Sequence, residues 1–227
     1  MIFLYTLIEY IEKKYIQKNS VEKRDYQINL ANQAMNENCV VVLPTGLGKT
    51  TIALHVIAEY LSRESSRILF LAPTRVLVNQ HFNFLKQNLT TDEITLITGE
   101  DSVEKRTELW DSRIICATPE VARNDLNRKI ITSQQFSLVI FDEVHRTTGD
   151  YAYSSIAEHF ENSNTRLLGM TATLPSEQEK ATEILTRLRI SSVAERTDNS
   201  PDVKPYIQET KTEWINVELP TKSDTKT

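Results

Sequence analysis

Residues 44–50 read PTGLGKT and follow the short apolar run Val40–Leu43. Such a run predicts a buried strand, and the apolar spacing across Thr50–Leu61 predicts an amphipathic helix. Glycines tolerate positive φ and let backbone amides approach an anion, while a helix N-terminus adds its dipole. Together these features predict a loop that binds nucleotide phosphates, with Lys49 on the β- and γ-phosphates and the Thr50 hydroxyl on Mg²⁺. A glycine turn without a ligand is the alternative.

The acidic pair Asp142 and Glu143 follows another apolar run, Leu138–Phe141. Adjacent carboxylates at a strand end repel each other unless a cation compensates them. Asp142 therefore suits Mg²⁺, through water, and Glu143 suits the positioning or deprotonation of an attacking water. A solvated acidic turn is the alternative, and the glycine loop upstream argues against it. We interpret His145 as a link from this site to a neighbouring segment rather than as a metal ligand.

Short apolar runs alternate with amphipathic stretches along most of the chain. The runs that predict buried parallel strands are Cys39–Leu43, Ile68–Ala72, Ile94–Ile97, Ile114–Ala117, Leu138–Phe141 and Leu167–Met170. The predicted helices are Thr50–Leu61, Arg75–Leu89, Val103–Leu109, Pro119–Arg128, Tyr151–Phe160 and Glu177–Leu188. This alternation predicts an α/β fold with an open, mainly parallel sheet flanked by helices on both faces, in which ligands bind beyond the carboxyl ends of the strands.

Composition and length are those of an ordinary globular protein. The chain has 227 residues and a net charge of −5, so a nucleic-acid site would have to be local. Cys39 and Cys116 lie in apolar runs, which favours reduced core residues. Met1–Ile11 is apolar but too short to cross a bilayer, so we expect an amphipathic helix there and no membrane association. The histidines that are isolated in the sequence and receive no role are His55, His81 and His159.

Several motifs, in the right order, resemble those of the first RecA-like domain of superfamily 2 helicases. PTGLGKT at 44–50 resembles motif I, DEVH at 142–145 motif II, and TAT at 171–173 motif III. APTR at 72–75 resembles motif Ia, and ATPE at 117–120 resembles a later motif that contacts the nucleic-acid strand. Arg24, Tyr26 and Gln27 resemble the element that reads adenine. The resemblance covers about residues 24–175. It implies a RecA-like P-loop ATPase domain that uses ATP and Mg²⁺.

The resemblance also implies roles for individual residues. The implied ATP contacts are Arg24, Gln27, Thr45, Gly46, Leu47, Gly48, Lys49 and Thr50; the metal ligands are Thr50 and Asp142; and the catalytic residues are Glu143, Asp142 and Lys49. The implied DNA contacts are Thr74, Arg75, Thr98, Gly99, Thr118 and Pro119, and the coupling residues are His145, Thr171 and Thr173. Simpler interpretations are helix caps at Thr74 and Thr118–Pro119, a plain turn at 98–99 and a hydroxyl-rich turn at 171–173.

A narrower resemblance is to the Hef/FANCM family, which remodels forked and branched DNA. It rests on DEVHR at 142–146, GDYAY at 149–153 and NSPDVKPY at 199–206. It implies an ATP-dependent DNA helicase or translocase, cytoplasmic and nucleoid-associated as in archaea, with a second RecA-like domain in cis. That domain would carry arginine fingers, and without them we expect the chain to turn ATP over weakly.

We expect three segments: a helical extension over residues 1–20, the ATP-binding domain over 21–198, and a linker over 199–227 with one further strand possible at Glu213–Leu219. Two alternatives for the function stay open. A double-stranded-RNA-dependent ATPase of the RIG-I-like group is one, and the resemblance at 199–206 argues against it. The other is a nucleotide-dependent nucleic-acid-binding module without turnover of its own, against which the intact Lys49, Asp142 and Glu143 argue.

Overall fold

The computed structural model describes residues 8–63, 65–146 and 152–207. Its helices are α1 (Asp25–Asn36), α2 (Lys49–Leu61), α3 (Arg75–Asn88), α4 (Val103–Leu109), α5 (Pro119–Asn127), α6 (Ala152–His159) and α7 (Gln178–Arg187). Its strands are β1 (Cys39–Val42), β2 (Ile68–Leu71), β3 (Ile94–Ile97), β4 (Ile114–Ala117), β5 (Leu138–Asp142), β6 (Arg166–Thr171) and β7 (Ser192–Glu195). Short 3₁₀ turns lie at Ser133–Gln135, Val144–Arg146 and Lys204–Tyr206. Every strand and helix predicted from the apolar runs and amphipathic stretches between Cys39 and Leu188 is present, with ends displaced by at most one residue.

The seven strands form one sheet in the order β3-β4-β2-β5-β6-β1-β7, and all paired strands are parallel. Alternate strand residues enter two separate cores. Val41 and its equivalents pack under α1, α2 and α3, while Val40 and Val42 pack on the other face with α5, α6 and α7. Because most strands are covered on both faces, they appear in the sequence as continuous apolar runs. The predicted fold class is therefore confirmed.

This strand order divides the carboxyl edge of the sheet into two neighbouring regions. The carboxyl ends of β1, β6 and β5 lie side by side, followed by those of β2, β4 and β3. We call the loops after β1, β5 and β6 the nucleotide half, since they carry residues 44–50, 142–145 and 171–173. We call the loops after β2, β3 and β4 the outer half, since they carry the predicted DNA contacts from Thr74 to Pro119.

The predicted helical extension is wrong for the described part of residues 1–20. Residues 8–24 form turns and two isolated bridges, Tyr10 with Glu22 and Ile16 with Leu89, and residues 1–7 lie outside the described residues. Tyr15 and Asn19 have positive φ, which interrupts helical geometry. The segment nevertheless packs on the domain, because Ile11 and Ile16 are buried in the core under α1 and α2.

Two elements have no counterpart among the predicted ones. Helix α1 is rich in Asn and Gln and carries no side-chain N-cap, so the usual signal for the start of a helix is missing from the sequence. Strand β7 pairs with β1 at the sheet edge and buries only Ala194, so it lacks an apolar run. The described part of the predicted linker belongs to the domain, since Val203 is fully buried. The possible strand at Glu213–Leu219 lies outside the described residues.

Both cysteines are free and buried, as predicted for core residues. Burial raises the pKa of the Cys39 thiol, with a smaller contribution from Glu37, and burial alone raises that of Cys116, in each case to about 12. Neither thiol is thus poised as a nucleophile. Among the described residues, no helix combines the length and apolar character needed to cross a membrane.

Candidate active site

The loop after β1 passes twice through a backbone conformation that favours glycine. Gly46 and Gly48 each have a φ of 83°. A Cβ on Gly48 would clash with Gln27 Nε2, so a side chain there would have to displace the end of Gln27. Helix α2 begins at the next residue, Lys49, and its first turn has N–H groups without partners inside the helix. The loop therefore has the backbone of an anion-binding turn.

Lys49 is the cation of this loop, and its side chain is half-buried. Its Nζ donates a hydrogen bond to the main-chain oxygen of Leu43 at 3.0 Å. Burial lowers the pKa of Lys49, and the carboxylates of Glu143 and Asp142 offset part of that shift. Since burial disfavours the charged ammonium, an anion beside it stabilises the charged form. Lys49 is thus electrostatically suited to a phosphate.

The end of β5 holds the acidic pair in two different environments. Asp142 is 4% exposed, and Tyr153 Oη donates to its main-chain oxygen at 2.7 Å, which fixes the strand end. Glu143 has a φ of 54°, in the left-handed region. That conformation costs a residue other than glycine about 1–3 kcal/mol and is concentrated at functional sites. The pair is therefore a fixed, strained turn rather than a solvated one.

A chain of polar contacts runs from Glu143 to the end of β6. His145 Nδ1 lies 3.2 Å from Glu143 Oε2 and 3.0 Å from Thr171 Oγ1. The Thr171 hydroxyl donates to the main-chain oxygen of Thr173 at 2.9 Å, so it accepts from His145. The structure thus brings together the residues predicted to couple the site to its surroundings. Their role in coupling stays a prediction.

The predicted adenine-reading residues lie directly beneath the glycine loop. Tyr26 Oη and Gln27 Nε2 both donate to the main-chain oxygen of Leu47, at 2.7 and 2.9 Å. Gln27 is 3% exposed, and within the described part of the chain its Oε1 has no hydrogen-bond partner. Gln27 therefore stabilises the glycine loop, and its contact with adenine stays a prediction. Its buried, unpaired acceptor is suited to an amino group of a base.

Arg24 is held beside this corner by an aromatic residue from the end of the described chain. Its guanidinium lies 5.1 Å from the ring centroid of Tyr206 and 3.0 Å from Glu22 Oε2. Hydrogen bonding to Tyr26 raises its pKa. The rings of Tyr206 and Tyr26 lie 5.5 Å apart. The segment at 199–206, which entered the sequence argument only as a resemblance, thus packs against the predicted adenine contacts.

Sequence reasoning missed His81, which contacts the acidic pair. His81 Nε2 lies 2.7 Å from Asp142 Oδ2, and both side chains are buried. The histidine is on α3 and 61 residues from its partner, so no local motif contains both. One signal was present: His81 falls between Val78 and Leu85 at helical spacing, on the apolar face of α3.

In the outer half, the residues after β2 are already engaged. Thr74 Oγ1 accepts a hydrogen bond from Leu77 N at 3.2 Å, so the simpler prediction of a helix cap is correct for this residue. Arg75 is exposed and forms an ion pair with Glu100, which is also exposed. Contact with a phosphate at Arg75 would therefore compete with Glu100.

The loop after β3 is also satisfied by local contacts. The main-chain N–H and the hydroxyl of Thr98 both donate to Asp101 Oδ2, at 2.9 and 3.2 Å. Gly99 does not have a positive φ, so its backbone does not require glycine. A plain turn accounts for these two residues as well as a DNA contact does.

Helix α5 begins after β4 with Pro119 at its first position, as the sequence predicts. Thr118 occupies the N-cap position, but its side chain accepts no capping hydrogen bond and is 8% exposed. The outer half therefore presents a helix N-terminus here but little side-chain hydroxyl. The DNA contacts proposed for all these residues stay predictions.

Comparison with known proteins identifies the family. The DEAD/DEAH box helicase family matches residues 24–181, which include the glycine loop, the acidic pair and both halves of the sheet edge. The chain belongs to the DEAD/DEAH box helicase family.

Similar proteins place this helicase domain more narrowly. The chain superposes on the crystal structure of the Pyrococcus furiosus Hef helicase domain with a TM-score of 0.85 and 37% identity, covering 91% of this chain and 45% of that one. It is 33% identical over 221 residues to the ATP-dependent DNA helicase fml1 of Schizosaccharomyces pombe, covering 95% of this chain and 26% of the relative. It is 42% identical over 214 residues to a Methanocaldococcus jannaschii protein provisionally named an ATP-dependent RNA helicase, covering 93% and 27%. The resemblance to the Hef/FANCM family is confirmed, and the chain spans about a quarter of these curated relatives.

Membership of this family implies that ATP is used together with Mg²⁺, and the oxygen ligands present fit that pair. Mg²⁺ in nucleotide sites takes one or two carboxylates together with phosphates and waters. Asp142 and the Thr50 hydroxyl supply such a set. Among the described residues no group of three His, Cys, Asp or Glu side chains could hold a metal alone, and none is required. A cavity of about 660 Å³ lies elsewhere, between residues 9–23 and helices α1 and α2.

Proposed function

We propose that this chain is the ATP-binding domain of a DNA helicase or translocase that acts on forked or branched DNA. The observation that carries the proposal is the convergence of three motifs at one edge, where the carboxylates of Glu143 and Asp142 lie close enough to Lys49 to offset the lowering of its pKa. This proximity supports a single site at which phosphate, metal and water would be bound. An ATPase site requires that arrangement.

Each residue has a defined part in hydrolysis. The loop amides and Lys49 would bind the β- and γ-phosphates, and Asp142 with Thr50 would hold Mg²⁺, whose charge would offset that of the phosphate oxygens. Glu143 orients a water and accepts its proton as the new bond to the γ-phosphorus forms and the bond to ADP breaks. Gln27 and Arg24 contact the adenine. His145, Thr171 and Thr173 transmit the state of the nucleotide to the rest of the enzyme.

Turnover requires a second RecA-like domain in cis. The chain covers under half of the Hef helicase domain to which it is similar. Arginine fingers from a second domain supply about 10³–10⁵ in rate in comparable sites. Closure and opening of the two domains around ATP then drives movement along a strand. This chain by itself is expected to bind ATP and hydrolyse it weakly.

DNA is favoured as the nucleic acid because fml1 and the yeast MPH1 proteins, 33–36% identical to the chain, are named DNA helicases. Such an enzyme would work at the nucleoid, in the cytoplasm of a cell without a nucleus. The second candidate is an RNA-dependent ATPase, which the name of the Methanocaldococcus relative favours. Branched DNA and duplex RNA are therefore the two substrates to compare.

The test is to join the chain covalently to the second RecA-like domain of the Pyrococcus Hef helicase and measure ATP hydrolysis. Forked DNA should stimulate hydrolysis more than duplex RNA does. The Glu143→Gln variant should bind ATP but lose turnover, because the amide has the shape of the carboxylate but cannot accept the proton of the attacking water. Stronger stimulation by duplex RNA would favour the RNA-dependent ATPase. ATP binding without hydrolysis in the joined protein would favour a binding module, and rapid hydrolysis by the chain alone would contradict the need for a second domain.

A further inference from the structure

The side chain of Asp142 is fixed by His81, which lies on helix α3. The Nε2–Oδ2 distance is 2.7 Å, and the two residues are 8% and 4% exposed. An ionised carboxylate has only acceptor atoms, so Nε2 carries the hydrogen and donates it. A buried carboxylate without such a donor would be strongly disfavoured. This hydrogen bond therefore sets which way the Asp142 carboxylate points.

The imidazole is itself held rigidly. Its ring lies 4.5 Å from that of Phe70 on β2, at an interplanar angle of 35°. Neighbouring residues of the same helix face, Val78 and Leu85, are buried in the core. The donor is thus set by packing on β2 and α3, while Tyr153 separately fixes the main-chain oxygen of Asp142. The main chain and the side chain of Asp142 have different supports.

We propose that His81 is a positioning residue, which holds one oxygen of Asp142 so that the other is presented to the Mg²⁺ of a bound nucleotide. The inference rests on the proposed function and adds to it the residue that determines how strongly the metal improves nucleotide binding. Partners of a metal-binding carboxylate commonly contribute 10–100-fold to metal affinity. Helix α3 has Thr74 as its N-cap and begins at Arg75, so His81 connects the helix that carries two predicted DNA contacts to the acidic pair.

The test measures how much Mg²⁺ improves ATP affinity. A fluorescent ATP analogue is titrated into the protein in EDTA and again in excess Mg²⁺, and the ratio of the two dissociation constants is the metal effect. The matched variants are His81→Gln, whose amide can reach the position of Nε2, and His81→Asn, whose amide is one methylene shorter. We expect about a 10–100-fold smaller metal effect in His81→Asn and most of it restored in His81→Gln. Affinity for the analogue in EDTA should change little in either.

A second readout separates positioning from folding. Mn²⁺ bound with ATP can be followed by its electron paramagnetic resonance signal, and His81→Asn should weaken that binding while thermal unfolding shows a folded protein. In an Asp142→Asn background, the His81 substitution should have no further effect on the metal. An unchanged metal effect in His81→Asn would overturn the inference, and so would equal losses in the Gln and Asn variants. If the unmodified protein binds no ATP, the proposed function itself fails, which is a different result.

Discussion

The nucleotide half and the outer half lie on one edge of one sheet, but their polar groups are in opposite conditions. In the nucleotide half, burial destabilises the charge of Lys49 and Glu143 has a strained backbone, and directly beneath the glycine loop Gln27 Oε1 is buried without a partner among the described residues. In the outer half, Thr74 caps α3 and Arg75 pairs with Glu100. The first region carries local costs that its own contacts offset only in part, whereas Thr74 and Arg75 in the second already have partners.

This difference has a physical meaning for binding. Groups that are strained or unpaired in the free protein gain free energy when a complementary ligand arrives. Groups that already have partners must give them up, so the net gain from a new contact is small. The nucleotide half should thus show large effects of single substitutions, and the outer half small ones of either sign.

The largest effect is expected at Lys49, where alanine removes the cation that meets the phosphates. We expect Lys49→Ala to weaken binding of ATP with Mg²⁺ by about 1.5–3 kcal/mol, the range for hydrogen bonds to charged groups. Isothermal titration calorimetry of the chain measures this directly. Lys180→Ala on α7 is the matched control, because Lys180 is exposed and lies in neither half. Equal affinities of Lys49→Ala and the parent would remove the contrast between the two halves.

The elements whose signal is local in the sequence could be predicted, and those that depend on distant contacts could not. Strands such as Ile68–Leu71 are predictable because burial on both faces leaves a continuous apolar run. Strand Ser192–Glu195 is not, because an edge strand that buries one residue has no such run. Helix Asp25–Asn36 buries Tyr26, Leu30 and Ala34 at helical spacing, but no capping side chain marks its start.

The candidate site divides in the same way. The glycine loop is one contiguous segment, because a turn positions it. The acidic pair is also contiguous, because a strand end positions it. His81 is not predictable as part of the site, because its contact with Asp142, 61 residues away, depends on how α3 packs on the sheet. Tyr206 lies in a segment that carries a family resemblance but no predicted role. Its ring contact with Tyr26, on α1, depends on how the end of the described chain packs.

An intermediate effect is expected at Gln27, where specificity should change more than affinity. Its unpaired Oε1 can accept from the amino group of adenine, whereas guanine presents an acceptor at that position. We expect Gln27→Ala to reduce the preference for ATP over GTP by about 0.5–1.5 kcal/mol, the net value of a neutral hydrogen bond. Competition of each nucleotide against a fluorescent ATP analogue gives the ratio.

Gln27 also supports Leu47, and Tyr26→Phe controls for that function. This variant removes the other hydrogen bond to the Leu47 oxygen and leaves the amide intact. ATP and GTP should weaken by the same factor in Tyr26→Phe, with their ratio preserved. If the unmodified chain bound GTP as tightly as ATP, Gln27 would be a loop support alone.

The smallest effect is expected at Arg75, and there its sign is more informative than its size. Arg75 and Glu100 have side chains that are 59% and 73% exposed, and such pairs contribute about 0.2–1 kcal/mol at most. If Arg75 binds a DNA phosphate, Arg75→Ala should weaken binding of a single strand, and Glu100→Gln should strengthen it by releasing the guanidinium. Arg75→Ala should also reduce the slope of log K against log salt by about 0.7, the value for one phosphate contact on a single strand. Fluorescence anisotropy of labelled DNA at several salt concentrations gives both quantities. If the ion pair only holds the loop after β3 against α3, both substitutions remove the same contact and must shift binding in the same direction. Opposite signs are therefore the result that assigns the outer half to nucleic acid.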